Sequence, residues 1–461
     1  MKQQVKFDSG LIRRYDKSGP RYTSYPTAVQ FHEGFTEARY RELAAATNQG
    51  SDSRALSLYF HIPFCNTVCY YCGCNKIVTK DRSRAAPYLG RLHKEIELQG
   101  ELFDRTRPVD QLHWGGGTPT FISHDEMHEL MDKTHQHFRL HDDDSGEYSI
   151  EVDPREVRPG TLGVLRELGF NRLSMGVQDF NPEVQKAVNR IQSRDQTLGV
   201  LREARELGFR SINMDLIYGL PHQSVTSFSE TLEQVIDANP DRLSVFNYAH
   251  LPEMFKPQRR IHVEDLPSPE EKLNILQAAI NLLIEAGYVY IGMDHFARPE
   301  DELAVAQREG SLYRNFQGYS THASCDMIGM GVTAIGSIGN SFSQNVRTEN
   351  EYFAALDEGR LPIYRGYELN DDDLLRREVI TQLICHFRLS FSDIERRFGI
   401  QFTEYFAMEL ETLKKMEEDG LLTLTTDGIE VAPAGVLLIR NICMVFDAYL
   451  GTREQRYSKV I

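Results

Sequence analysis

Four of the seven cysteines crowd into the run His61-Ile62-Pro63-Phe64-Cys65-Asn66-Thr67-Val68-Cys69-Tyr70-Tyr71-Cys72-Gly73-Cys74. The spacing from Cys65 to Cys69 to Cys72 puts three thiolates on one short loop. That suits an iron–sulfur cube whose corners lie a few ångströms apart, and it leaves one iron without a protein ligand. Two other chemistries compete for the same residues. A structural zinc site normally staples two cysteine or histidine pairs a dozen or more residues apart, and no distant pair accompanies this loop. A thioredoxin-type redox pair needs only Cys69 and Cys72 and leaves two thiols unexplained. Cys325, Cys385 and Cys443 stand singly, unlike the paired framework of a secreted protein.

Other polar residues gather where strands should end. Trp114-Gly115-Gly116-Gly117-Thr118-Pro119-Thr120 lets a ligand approach the backbone closely, but it lacks the lysine and spacing of a phosphate-binding P-loop, and a tight turn explains it equally well. Glu151-Val152-Asp153-Pro154 places a carboxylate where a ribose diol could bind, while Asp153 better fits a cap ahead of Pro154. Asp215 sits in the otherwise apolar Asn213-Met214-Asp215-Leu216-Ile217-Tyr218, where an unpaired carboxylate is costly. It needs a ligand or a partner, and Arg190 is the candidate ion-pair partner.

The elements that must position these groups follow from hydrophobic patterning. Residues 56–62, 109–114, 147–153, 171–178, 210–217, 242–249 and 288–295 read as strands. Helical spacing over 84–103, 124–138, 195–207, 225–238 and 268–286 separates them. Such alternation predicts a parallel sheet with crossover helices, either a partial or full (β/α) TIM-like barrel or an open doubly wound sheet. The barrel is favoured because candidate residues sit at the ends of nearly every strand, the face on which barrels bind ligands. Beyond residue 365, a helix opening at Asp371-Asp372-Asp373, helical segments near 391–398 and 403–418 and a hairpin over 421–431 with an Asp427-Gly428 turn suggest a smaller, mostly helical, winged-helix-like domain. The expected divisions are 1–50, an N-terminal extension; 51–364, the barrel; and 365–461, the C-terminal domain.

Composition excludes several function classes. With 461 residues, 41% hydrophobic and 26% charged, the chain has enough apolar material for a large core and no sign of disorder. A net charge of −16 argues against a protein that coats nucleic acid, and an acidic stretch over 407–420 favours a packing or lid domain over a DNA reader for the winged-helix-like module. No apolar run approaches membrane-spanning length and the N-terminus lacks a signal core, so a cytoplasmic location is expected.

The three cysteines with an aromatic residue, Tyr71, just before the third resemble the signature of the radical S-adenosylmethionine enzymes. The resemblance implies that Cys65, Cys69 and Cys72 hold one [4Fe-4S] cluster whose open iron takes the amine and carboxylate of S-adenosylmethionine, with Cys74 surplus. Further stretches narrow it: Ser18 to Thr27 (SGPRYTSYPT), His113 to Thr120, Ile150 to Glu156, Asn171 to Asp179, Phe246 to Pro252, Gly292 to Arg298 and Asn441 to Met444. Together they resemble the oxygen-independent coproporphyrinogen III dehydrogenases from about residue 10 to the C-terminus. That family resemblance implies two bound S-adenosylmethionine molecules. Tyr59, Tyr71, Gly116 and Glu151 would serve the cluster-bound one, and Gly117, Thr118, Gln178, Arg190, Asp215, Ala249 and Ile335 the second. The implied reaction is oxidative decarboxylation of two propionates of coproporphyrinogen III to vinyl groups, fed by a reducing protein such as a flavodoxin or ferredoxin, by a monomer that binds neither nucleic acid nor membrane.

Four propionates call for local cations, and Arg21, Arg298, Arg308 and Arg314 are the candidates, since guanidinium pairs with carboxylate in two-pronged fashion. Tyr22 and Tyr25 are placed to touch a tetrapyrrole or to pack. Two other readings compete: a related haem chaperone that lacks the activity, and a redox-sensing winged-helix regulator.

Overall fold

The computed structural model describes residues 5–49 and 54–451, so the expected division at 50/51 lies outside the described residues. Six runs read as strands form parallel strands: β1 (Leu56–Ile62), β2 (Pro108–Gly116), β3 (Glu147–Val152), β4 (Arg172–Gln178), β5 (Ser211–Tyr218) and β6 (Arg242–Asn247). They pair in the order β6-β5-β4-β3-β2-β1, and β1 pairs on its other side with a parallel β7 (Asp326–Met330). From β7 the sheet continues antiparallel through β8 (Ile335–Ile338), β9 (Ser341–Asn345) and β10 (Ile363–Glu368). Among the described residues no pairing joins the two ends of the sheet.

The strands show why this sheet makes a site. In β3, β4 and β5 fully buried residues alternate with half-buried ones. Strand side chains point to opposite faces with a period of two, so one face is sealed and the other stays partly open. The sealed face carries Ile150, Met175 and Met214; the open face carries Glu151, Ser174 and Asp215. The crossover helices Ala85–Gly100, His124–His137, Arg194–Glu206 and Val225–Ala238 lie close to the sequence expectation. Two begin with reciprocal caps, Ser123 with Glu126 and Ser224 with Ser227, which satisfy amides that the first helical turn leaves unbonded.

The 288–295 run is not a seventh parallel strand. It breaks into an antiparallel hairpin, Val289–Gly292 with His295–Ala297, because Gly292 and Met293 adopt positive φ of 145° and 54°. The seventh parallel strand is β7, whose Asp-Met-Ile-Gly-Met carries little β-branched signal.

The chain divides into two compact units built from non-contiguous segments. One comprises residues 31–268 and 324–368 and contains the sheet. The other gathers the first 30 residues, 269–323 and 369–461. In this second unit, helices Asp371–His386, Phe391–Phe398 and Ala407–Glu418 accompany a small sheet of Arg388–Ser390, Gly428–Val431 and Leu422–Leu424. The hairpin turn centres on Thr426-Asp427 rather than Asp427-Gly428, since Thr425 N donates to Gly428 O at 2.9 Å. Gly428 is required instead by close strand approach, because a Cβ there would meet Leu389 O. Phe391 stacks on Phe402 at 4.2 Å, with Phe406 and Phe446 completing an aromatic core. The N-terminal segment belongs to this unit: buried Arg440 donates to the carbonyls of Gly19 and Pro20, and Asn441 Nδ2 donates to Tyr15 O.

Candidate metal and cofactor site

The cysteine loop leaves β1 at its carboxyl end and is pinned on both sides. Gly117 N donates to Ile62 O at 2.9 Å and Thr118 N to Phe64 O at 2.7 Å, so the glycine run after β2 lies directly against the loop. A Cβ on Gly117 would meet the Pro63 and Phe64 backbone at 2.7 Å, and one on Gly116, at φ 112°, would meet the His61 ring at 2.8 Å. Close approach therefore demands these two glycines. Asn189 Nδ2 donates to Val68 O and Tyr70 N to Val188 O, fixing the middle of the loop. Gln258 Nε2 donates to Tyr71 O, and the Phe255 ring lies against Gly73. Tyr71 is packed on a cluster that includes Val184, Val188 and Tyr248, and this burial pushes its hydroxyl pKa well up.

Each thiol has its own polar setting. Thr118 Oγ1 donates to Cys65 Sγ at 3.6 Å; burial nevertheless pushes the Cys65 thiol up to about 11. Cys69 Sγ accepts from Arg155 Nη2 and from Arg190 Nη1, both at 3.6 Å. The Cys72 and Cys74 thiols are neighbours, and their interaction pulls Cys72 down and pushes Cys74 up. Lys76 Nζ donates to the carbonyls of Cys72 and Cys74. The donor set fits an iron–sulfur cube: three unpaired soft thiols on a single loop, with guanidinium and ammonium groups beside them to offset anionic charge.

Asp153 organises the cations. It caps the turn Pro154–Glu156, accepting from Arg155 N, and its carboxylate also receives Arg155 Nη2 at 2.6 Å and Arg190 Nη1 at 3.0 Å. Burial opposes its charge, but the two guanidinium groups outweigh that and hold its pKa below the usual range. The ion-pair partner of Arg190 is thus Asp153 and not Asp215. Asp215 is held by Asn213 Nδ2 at 2.8 Å and Ser174 Oγ at 3.1 Å, and burial raises its pKa to about 6.

A polar row crosses the open face of the sheet. The register sets Tyr59 beside His113, His113 beside Ser149, and Glu151 beside Ser174. Tyr59 stacks on His113 at 5.8 Å and its hydroxyl lies 3.1 Å from His61 Nδ1. His61 Nε2 lies 3.1 Å from Asn75 O, a pure acceptor, so Nε2 carries the proton and Nδ1 accepts from Tyr59. Burial lowers the His61 pKa and keeps the ring neutral. Glu151 accepts from Gly116 N at 3.2 Å with His113 Nε2 at 3.5 Å. Gln178 takes a positive φ of 68° at a β4 irregularity, where a Cβ on Gly176 would meet both its amide and Arg190 at 2.8 Å. Ala249 lies just past β6, and the Ile335 backbone crosses Gly329, the β7 partner of Tyr59.

All residues implied for the cluster and the sulfonium cofactor therefore lie in one unit, with Tyr59 and Asp215 within β1 and β5 and the cysteine loop beyond the carboxyl end of β1. His61, His113, Ser174, Asn213 and Arg155 were not singled out from sequence. Strand parity could have found His113, Ser174 and Asn213, which share a face with Tyr59, Glu151 and Asp215; Arg155 carried no signal beyond its place after Asp153. The four candidate arginines lie in the other unit. There Arg21 is bonded to Asp294, Arg298 donates to Ala286 O and covers the Tyr288 ring, Arg308 donates to Pro299 O, and buried Arg314 lies over the Tyr319 ring at 4.7 Å. Tyr22 donates to Asp447 and Tyr25 accepts from Ala448 N, so both pack in this unit.

Comparison with known proteins shows the family. Residues 59–235 match the Radical SAM superfamily and residues 369–438 the HemN C-terminal domain. The chain is 56% identical over its full length, and over all of the relative, to the oxygen-independent coproporphyrinogen III oxidase of Pseudomonas aeruginosa. It is 52% identical to the enzyme of that name from Escherichia coli, covering 100% of this chain and 99% of the relative. The solved structure of coproporphyrinogen III oxidase from Escherichia coli, described as a radical SAM enzyme, superposes with a TM-score of 0.92 at 51% identity, covering 97% of this chain and 100% of that one.

Proposed function

This chain belongs to the oxygen-independent coproporphyrinogen III oxidases of the radical SAM superfamily, and we propose that it converts two propionates of coproporphyrinogen III to vinyl groups, giving protoporphyrinogen IX. Bound to a chain of this superfamily, a reduced [4Fe-4S] cluster with S-adenosylmethionine supplies a 5′-deoxyadenosyl radical. The β-carbon of a propionate offers no useful acid, so hydrogen-atom removal suits it where polar catalysis does not. Each propionate loses a hydrogen atom to that radical, carbon dioxide, and one electron to an external acceptor, and a vinyl group remains.

The observation that carries this reading is the placement of three free thiols on a pinned loop beside the Gly116-Gly117 backbone and Glu151. In this assignment Cys65, Cys69 and Cys72 hold the cluster. Gly116, Glu151, Tyr59 and Tyr71 line the first cofactor position; Gly117, Thr118, Gln178, Arg190, Asp215, Ala249 and Ile335 serve a second S-adenosylmethionine. The Gly116 and Gly117 backbone admits close approach, Glu151 offers a carboxylate to a diol, and the neutral His61 fixes the Tyr59 hydroxyl. Arg21, Arg298, Arg308 and Arg314 are assigned to substrate carboxylates. An external reducing protein, a flavodoxin or ferredoxin, feeds a monomer in the cytoplasm; among the described residues no helix is long and apolar enough to cross a membrane.

The test is anaerobic reconstitution of wild type and Cys69→Ser. Wild type should hold four irons, its reduced spin-resonance signal should change on adding S-adenosylmethionine, and coproporphyrinogen should yield vinyl product. Haem binding without product would favour the chaperone; a colourless zinc protein would remove the assignment.

A further inference from the structure

Arg155 follows the cap residue Asp153 and is held to its carboxylate by several hydrogen bonds. Its Nε donates to both oxygens of Asp153 at 3.0 and 3.2 Å and its Nη2 donates to Oδ2 at 2.6 Å. This fork fixes the guanidinium plane, and the same Nη2 reaches Cys69 Sγ at 3.6 Å. The side chain is 17% exposed and that of Asp153 9%, so solvent and salt screen the pair weakly. Asp153 in turn is locked by Arg190, which donates to Gly176 O at 2.7 Å. One carboxylate thus orients two guanidinium groups toward one cysteine sulfur, for a local net charge of +1. By contrast the side-chain donor at Cys65 Sγ is the neutral Thr118 hydroxyl, and near Cys72 the Lys76 ammonium donates to the backbone carbonyl.

We propose that Arg155, oriented by Asp153, is a positioning residue that hydrogen-bonds the Cys69 ligand sulfur and raises the reduction potential of the cluster held there. The physical cause is direct. Reduction adds one negative charge to the cluster and its thiolates, and an N–H donor with a fixed positive charge at a ligand sulfur stabilises that added charge. Arg155 therefore makes the one-electron reduction easier for an external donor, without touching substrate. This inference rests on the cluster assignment above.

The experiment uses the full-length chain, reconstituted anaerobically, with the cluster midpoint read by spin resonance during a redox titration without S-adenosylmethionine. Arg155→Gln should keep four irons and shift the midpoint to more negative potential, by about tenfold in the one-electron equilibrium, or about 59 mV. Arg155→Lys, which keeps charge but loses the fork, should fall between. A wild-type midpoint in Arg155→Gln overturns the proposal. Should that variant take up no iron, the decision falls to wild type and Arg155→Lys grown on ¹⁵N-arginine. Pulsed spin resonance of the reduced cluster should then show guanidinium nitrogen coupling that weakens in Arg155→Lys, and no coupling, or an equal one, overturns it. A wild-type chain that binds no iron defeats the cluster assignment instead, so the two failures are distinct.

Discussion

Glu95 lies wholly buried and accepts from Gly331 N at 2.8 Å, Asn345 Nδ2 at 2.7 Å and the Tyr352 hydroxyl. Burial outweighs these donors and raises its pKa from an ordinary 4.5 to about 7. A carboxyl whose pKa is raised on folding is ionised first in the unfolded chain. Its contribution to stability is therefore present below pH 4.5 and is lost as pH rises toward 7, a loss of about 3 kcal/mol. Urea titrations across that window should show the decline in wild type and its near absence in Glu95→Gln. Glycines separate in the same way. Gly117→Ala forces a Cβ to within 2.7 Å of backbone and should cost about 1–3 kcal/mol and reduce iron uptake. Gly163→Ala, in helix Thr161–Glu167 with open space around it, should raise the thermal midpoint, a gain of about 0.5–1 kcal/mol.

Among the elements, helix His124–His137 depends on its reciprocal cap, and Ser123→Ala should cost about 1 kcal/mol in denaturant unfolding. The start of β7, an interior strand of the sheet, depends on an ion pair. Arg107 Nη2 meets Asp326 Oδ2 at 2.6 Å with side chains 0% and 2% exposed, at the start of β7. Asp326→Asn leaves a buried guanidinium without its counter-charge and should cost about 3–5 kcal/mol, whereas a paired apolar replacement, Arg107→Met with Asp326→Leu, should recover much of it. β7 is also the strand that sequence reading missed. Its hydrophobic run is short, and it pairs with β1 across more than 250 positions of chain, a distance that no local pattern encodes.

At the scale of the whole molecule, the second unit is knit from the two ends of the chain. Arg440 is 3% exposed and bonds two carbonyls of the N-terminal segment, while Tyr22 reaches Asp447. Arg440→Ala should leave those carbonyls unsatisfied and make the first 30 residues an early site of limited proteolysis, read by N-terminal sequencing of the fragments.

The sequence alone determined what depends on neighbours in the chain. The cysteine spacing, the strand and helix periodicity and the glycines beside Thr118 all express local chemistry, and six strands and the crossover helices follow from them. Tertiary structure decided which charges meet. Asp153 rather than Asp215 takes Arg190, and Arg155 reaches Cys69, because a guanidinium finds its partner through space, here past the carboxyl end of β3. It also decided that Gly428 serves strand approach rather than a turn, and that 288–295 folds back on itself. The charge pairings and the approach of Gly428 to Leu389 depend on contacts between separate segments, whose positions are fixed only when the strands pair.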